Sequence, residues 1–245
     1  MAERQTRAIL LDIEGTTTPV EFVYEVLFPF ARRHVRGFLS QHQLSEAVRA
    51  DIEALRAERR ADAEAGREPP EWRDESADSR LESATAYVHW LMDQDRKSTA
   101  LKSLQGKVWE DGYLTGQLRG QVYADVPPAL ERWRGQRKDI YIFSSGSVLA
   151  QKLLFAHTTA GDLTVYLGGY FDTNTGAKAE RASYESIGAA TGTKASEVLF
   201  VSDVTAELDA ARAAGMQTAL CVRPGRPESE PRGHAVIHTF DVLFP

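Results

Sequence analysis

An apolar run, Ala8-Ile9-Leu10-Leu11, gives way abruptly to Asp12-Ile13-Glu14-Gly15-Thr16-Thr17. A buried strand that stops at acids, a glycine and hydroxyls places charge where an open α/β sheet keeps its ligands, beyond the carboxyl ends of its strands. Asp12 and Glu14 are two apart and project to one side of that strand end. Gly15 lets the backbone turn and come close to a ligand. A carboxylate on a rigid strand end can attack phosphorus and form an aspartyl-phosphate, which divides one hard hydrolysis into two steps. The second acid can protonate the leaving oxygen and then activate water. Taken alone, the pair is equally an acidic strand end before a turn, so the rest of the chain decides.

Three further polar corners follow. Ser144-Ser145-Gly146-Ser147 comes directly after Ile140–Phe143; hydroxyls and amides between a strand end and a helix start make an anion cradle. Lys178 closes the loop Phe171-Asp172-Thr173-Asn174-Thr175-Gly176-Ala177-Lys178. Ser202-Asp203 follows Val198–Val201, with Glu207 one helical turn later. Each has a plain structural reading. Ser147 serves as a helix N-cap whatever else it does. Lys178, seen in isolation, is one solvated lysine among several. Asp203 and Glu207 favour the positive end of a helix, and for Glu207 that account is preferred. The ordered set of acid, serines, lysine and acid, each on the right kind of element, shifts the balance toward chemistry. Phosphate and carboxylate repel each other, so attack needs a cation between them. Magnesium, with oxygen ligands from Asp12 and Asp203 plus waters, meets that need. Ser144 and the amide of Ser145 hold the transferring oxygens, and Lys178 adds a fixed positive charge that stabilises the transition state.

The elements that position these corners have two textures. From about Val20 to Leu118 the pattern is helical. Glu21–Leu39 has apolar residues at helical spacing with Pro29 breaking or kinking it, and Leu44–Ala65 is a good helix former with a solvated surface. Gly66-Arg67-Glu68-Pro69-Pro70-Glu71 reads as a loop. Helices resume over Arg80–Asp95 and Ser98–Glu110, and Gly112, Gly116 and Gly120 punctuate the exit. From Val126 strand and helix alternate, which implies a parallel sheet with covering helices. A helix starts near Pro127-Pro128. Asp139–Phe143, Val198–Val201 and Gln217–Val222 read as strands; Val148–Phe155, Lys178–Thr191 and Ala206–Ala214 read as helices. The fold class expected is therefore α/β, a Rossmann-like doubly wound parallel sheet core with an inserted all-helical cap. Residues 1–18 and 119–245 form the catalytic core. Residues 19–118 form the cap, inserted after the first strand and lying as a lid above the acidic end of the sheet.

Composition narrows the classes. At 245 residues the chain suits one large domain or two modest ones. No stretch approaches the roughly 20 apolar residues of a membrane span, and Met1–Arg7 lacks the apolar centre of a secretory signal. The net charge of −6 disfavours nucleic-acid binding. The single cysteine, Cys221, rules out an internal disulfide and a thiolate metal cluster; within Thr218–Val222 it is a buried strand residue rather than a nucleophile. These features fit a cytoplasmic protein, read here as a monomer. The histidines (His34, His42, His89, His157, His234 and His238) show no zinc-helix spacing. Phe22, Tyr24, Phe28 and Phe30 are read as cap core, a minority of them lining an apolar slot. Trp109 and Tyr113 are read as packing near the cap exit. Arg56, Arg59 and Arg60, interleaved with acids, form a solvated helix face.

The set Asp12-Ile13-Glu14-Gly15-Thr16, Ser144, Lys178 and Ser202-Asp203, with a helical insertion after the first strand, resembles the haloacid dehalogenase superfamily of phosphatases. That superfamily's usual second acid is aspartate; here it is Glu14. Glutamate there resembles the enolase-phosphatases of methionine salvage. So do Thr17-Thr18-Pro19, Tyr141–Ser147, Ser202-Asp203-Val204-Thr205, Trp109–Tyr113 and Gln151–Phe155. The likeness runs over the whole chain. It implies a bifunctional enzyme with one magnesium ion per subunit. Such an enzyme enolises 2,3-diketo-5-methylthiopentyl-1-phosphate and then removes phosphate to give 1,2-dihydroxy-3-keto-5-methylthiopentene. It also implies magnesium binding by the side chains of Asp12 and Asp203 and the main-chain carbonyl of Glu14. Ser144, Ser145 and Lys178 map onto substrate-binding positions, and Asp12, Glu14 and Lys178 onto catalytic ones. The enolisation base is left open between Glu14 and a cap residue. Rival readings are a phosphatase of the same fold for another small phosphate ester, a dehalogenase, and a phospho-accepting receiver module. Glu14, Thr16 and Asp203 around magnesium argue against a dehalogenase. The order of the groups and the size of the insertion argue against a receiver.

Overall fold

The computed structural model describes residues 6–96, 98–225 and 230–245; the N-terminal reading of Met1–Arg7 falls outside them as far as Gln5. The chain divides into two compact units, one of Met1–Val23 with Leu118–Pro245 and the other of Tyr24–Gln117.

The first unit is built on a parallel sheet. Its described strands are β1 (Ala8–Leu11), β2 (Asp139–Phe143), β3 (Gly169–Phe171), β4 (Val198–Ser202), β5 (Gln217–Cys221) and β6 (Ala235–Ile237), in the order β3-β2-β1-β4-β5-β6. β1 lies between β2 and β4 with Leu11 opposite both Ile142 and Val201. All four residues of β1 are fully buried, as an apolar run covered on both faces requires. The chain runs to one side of β1 through β2 and β3 and to the other through β4, β5 and β6. The order reverses between β1 and β4, the place where open α/β sheets bind their ligands. The helices of this unit are α5 (Val126–Gly135), α6 (Val148–Ala156), α7 (Arg181–Thr191) and α8 (Thr205–Ala213). α5 opens with proline in its first turn, where a missing N–H costs nothing.

Three details depart from the sequence reading. The helix expected from Lys178 begins at Arg181. Gly176 at φ +143 and a Ser183 hydroxyl donating to the Ala177 carbonyl at 2.7 Å hold residues 176–180 as a loop. Strands β3 and β6 were not expected. Each is three residues long and at most one of those residues is buried, too short for a period-two pattern to register.

The second unit is all-helical. A π-helical turn, Phe22–Leu27, leads into α1 (Phe28–His42), followed by α2 (Glu46–Glu64), α3 (Ala77–Asp93) and α4 (Thr99–Leu114). Pro29 stands in the first turn of α1. The chain is nevertheless helical without interruption from 20 to 42, with Leu27 at φ −65, ψ −53, so Pro29 does not break it. The irregularity beside this residue without an N–H is the π turn directly before α1. α1 and α2 each pack on α3 and α4, around a core that includes Leu39, Leu55, Tyr87, Leu91 and Leu104. Beside it Asp62, 2% exposed, accepts from the Tyr87 hydroxyl at 2.7 Å, from Arg67 at 2.6 Å and from Arg96 at 3.2 Å. Arg56 and Arg59, read as a solvated face, also bind the following loop. Arg56 pairs with Asp74 at 2.7 Å and Arg59 donates to the Pro70 carbonyl at 2.8 Å. No helix among the described residues is long and apolar enough to cross a membrane.

Candidate active site

Asp12 continues β1 by one residue, its N–H donating to the Val201 carbonyl at 3.0 Å. The backbone then closes on itself. The Ile13 carbonyl accepts from the amides of Thr16, Thr17 and Thr18 at 3.2, 2.9 and 2.8 Å, and Gly15 N–H donates to the Thr18 carbonyl at 2.8 Å. The Thr17 hydroxyl donates to the Asp12 carbonyl at 3.0 Å. Gly15 has φ +75, and a Cβ there would lie 2.2 Å from Asp203 Oδ2. The Asp203 carboxylate, delivered by the end of β4, therefore rests directly against the turn that carries Asp12.

Lys178 reaches the same place from the loop after β3. Its Nζ lies 2.5 Å from Asp12 Oδ1 and 2.7 Å from Glu207 Oε2, with its main-chain carbonyl accepting from the Tyr184 hydroxyl at 2.7 Å. Glu207 stands in the first turn of α8 and also accepts from the Ser202 hydroxyl at 2.9 Å. The preference for a simple helix-end role for Glu207 was too narrow, because it shares the lysine with Asp12. A signal was available: an acid one turn beyond a strand-end acid faces the same corner.

Two carboxylates sharing one ammonium leave the cluster one charge negative, and burial sharpens the consequence. Burial and the Asp12 charge push Glu207 up to about 7, against the pull of Lys178 and Ser202. Burial would lower Lys178, but Asp12 and Glu207 outweigh it and hold the ammonium above its ordinary range. Glu14 is raised by burial and then by Asp12, so its carboxyl keeps its proton to higher pH than an ordinary glutamate does.

Ser144 is buried at the end of β2, its N–H donating to the Phe171 carbonyl at 3.2 Å and its hydroxyl accepting from Gly146 N–H at 3.1 Å. Ser145 is exposed beside it. Ser147 caps α6 by accepting from Ala150 N–H at 3.3 Å, the role expected of it. Two residues to which the sequence reading gave no role of their own shape this loop. Asp172 accepts from Val148 N–H at 3.3 Å and from Asn174 N–H at 2.9 Å. The buried Gln151 donates to the carbonyls of Gly146 and Phe171 at 2.9 and 2.8 Å. Cys221 is a core residue of β5, and burial pushes its thiol up to about 12, which removes it from nucleophilic duty.

Among the described residues, no three His, Cys, Asp or Glu side chains group to hold a metal. A site that takes position 14 through its main-chain carbonyl asks for only two carboxylates, Asp12 and Asp203. The contact of Asp203 with the Asp12–Gly15 turn supplies them at one corner. An all-oxygen donor set completed by water suits a hard cation such as magnesium, which keeps several waters when bound.

Residues 6–215 match the haloacid dehalogenase-like hydrolase family. A protein named Enolase-phosphatase E1 in Synechococcus elongatus is 53% identical over 235 residues, spanning 96% of each chain. One of the same name in Sorangium cellulosum is 48% identical across the full length of both. The crystal structure of the Unknown transcript 4 protein of Saccharomyces cerevisiae superposes with a TM-score of 0.78 at 36% identity, covering 98% of this chain and all of that one. With a buried acid corner at the switch point of a parallel sheet, and relatives near half identity over nearly every residue, the chain belongs to the haloacid dehalogenase-like hydrolases and, within them, to the enolase-phosphatases.

Proposed function

We propose that this chain is the enolase-phosphatase of methionine salvage. It converts 2,3-diketo-5-methylthiopentyl-1-phosphate by enolisation and then dephosphorylation to 1,2-dihydroxy-3-keto-5-methylthiopentene and phosphate. The observation that carries the reading is the Asp12 carboxylate, 3% exposed at the end of the central strand, with Lys178 Nζ 2.5 Å from one oxygen.

Asp12 attacks the phosphorus and becomes an aspartyl-phosphate, and its strand-end seat holds it in line. Lys178 balances the charge of the transferring group. Ser144 and the Ser145 amide receive its oxygens, so the barrier falls chiefly through positioning and electrostatics. Glu14, with its raised pKa, gives a proton to the leaving oxygen and later takes one from the attacking water. The proton removed in enolisation comes from the carbon bearing the phosphate ester, within a bond or two of that leaving oxygen. One site therefore serves both steps, with Glu14 the nearest candidate base. Asp12, Asp203 and the main-chain carbonyl of Glu14 would hold a magnesium ion, which would supply positive charge to offset the repulsion of carboxylate and phosphate and Lewis-acid chemistry toward a carbonyl. Residues 1–18 and 119–245 are read as the catalytic core and 19–118 as the cap that selects the substrate. The protein is read as a cytoplasmic monomer.

The test follows phosphate release and the ultraviolet absorbance of the enol together, with the diketone phosphate as substrate. Wild type should show a transient enol phosphate followed by phosphate. Asp12→Asn should stop phosphate release and let the enol phosphate accumulate. Release of phosphate with no transient enol would replace this reading by a phosphatase for another ester. Fast enolisation in Glu14→Gln would move the base to another residue.

A further inference from the structure

Beyond the acid corner, the first unit contains one more buried charge whose bonds end on the same turn. Arg223 follows β5 and is 3% exposed. Its Nε and one terminal nitrogen both donate to the Thr16 carbonyl, at 2.9 and 2.6 Å. The other terminal nitrogen pairs with Asp125 Oδ2 at 2.6 Å. The guanidinium lies between rings, 4.3 Å from the centroid of Tyr123 and 4.6 Å from that of Phe240. Asp125 is fixed in turn: its Oδ2 accepts from Phe240 N–H at 2.6 Å and from the Thr239 hydroxyl at 3.1 Å. Beside this pair the Thr17 carbonyl accepts from Tyr123 N–H at 3.0 Å.

We propose that Arg223 is a positioning residue for the turn that carries Asp12, and that Asp125 holds it to that task. The inference rests on the reading of Asp12 as nucleophile. A buried ion pair is a poor device for stability alone, since apolar packing of the same volume does as well or better. A guanidinium offers direction, with a planar fork of donors at fixed angles. Here two of those donors converge on a neutral carbonyl, which a device for charge balance would not require. That carbonyl belongs to Thr16, adjacent to the glycine on which Asp203 rests. The Thr16 hydroxyl lies 3.5 Å from Asp12 Oδ2. Rotation of the peptide after Thr16 would therefore shift both acids against each other, and misplacement of about 1 Å costs on the order of a hundredfold in rate.

The test compares Arg223→Lys and Asp125→Asn with wild type in the full-length protein, by steady-state kinetics on 4-nitrophenyl phosphate and by amide hydrogen exchange. Lysine keeps the charge but cannot place two donors on Thr16 and a third on Asp125 in one plane. Its kcat should fall about thirtyfold with KM within about threefold, the pattern of a lost transition-state arrangement. Exchange in the peptide covering residues 12–18 should rise about tenfold, while peptides from Tyr24–Gln117 keep wild-type rates. Asp125→Asn should move both readouts the same way by a smaller factor, and it serves alone if the lysine variant does not fold. Unchanged exchange at residues 12–18 with kcat within about twofold of wild type overturns the inference. So does exchange that rises equally across the whole sheet with kcat per folded molecule intact. Asp12→Asn is the separating control. If it still releases phosphate, the nucleophile reading fails, and the exchange data still decide whether Arg223 holds the turn.

Discussion

Gly15 is the residue on which two acids depend. Its positive φ suits glycine, and the missing side chain is what allows Asp203 to approach. Gly15→Ala puts a methyl group 2.2 Å from Asp203 Oδ2 and forces a strained backbone, at a cost of about 1–3 kcal/mol. Phosphatase activity should fall at least about a hundredfold, with the variant still folded by circular dichroism. Activity near wild type would show that Asp203 is free to settle elsewhere. At this scale the sequence was legible wherever a charged residue followed directly on a buried strand, as at Asp12 and Asp203. Arg223, two residues after β5, was not singled out, because its partners, the Thr16 carbonyl and Asp125, lie far away in the sequence and no spacing links them to it. Glu207 was seen but underrated. Its partner Lys178 lies in a loop, and loops bring residues together without any periodicity to reveal it.

Helices and long strands declared themselves, because burial on one stripe or two faces leaves a repeating pattern. β2 agrees with its reading from end to end, whereas β3 and β6 fall below the length at which a pattern exists. Nor does periodicity reveal what ties helices together across a unit. Asp62 on α2 is such a tie. Burial would raise its carboxyl, but hydrogen bonds from Tyr87, Arg67 and Arg96 outweigh that and hold it below the ordinary range. A depressed folded-state pKa means that the ionised form stabilises the fold above about pH 4 and that this support is lost as pH falls through the lowered value. Asp62→Asn should cost about 2 kcal/mol at pH 7, the arginines being partly solvated. The difference from wild type should close as the medium is acidified below about pH 4 and through the lowered value. Urea titrations at a series of pH values measure it, and a gap independent of pH would contradict the account.

On the scale of the molecule, two cores stand in one chain. Substitution inside one should disturb that one first. Leu91, fully buried in α3, makes the case: Leu91→Ala removes packing worth about 2–5 kcal/mol. Amide exchange should accelerate over α1 to α4 and change little in β1, β2 and β4. Acceleration everywhere alike would mean that the chain opens as a single cooperative block. The division was visible in the change of texture after the first strand, since strand-helix alternation and helix-only stretches bury their apolar surface in different ways.

The hydrogen bond from Tyr123 to Thr17 joins the points where the long helical excursion departs and comes back. Geometrically the sheet sees a detour of almost zero span, whatever its contour length. Closing such a detour grows harder only logarithmically with added residues. An engineer could thus graft a foreign helical cassette between these two anchors and leave every strand register where it is. Natural diversification has the same freedom: the excursion can be lengthened, shortened or exchanged while the strands and the acid corner stay as they are.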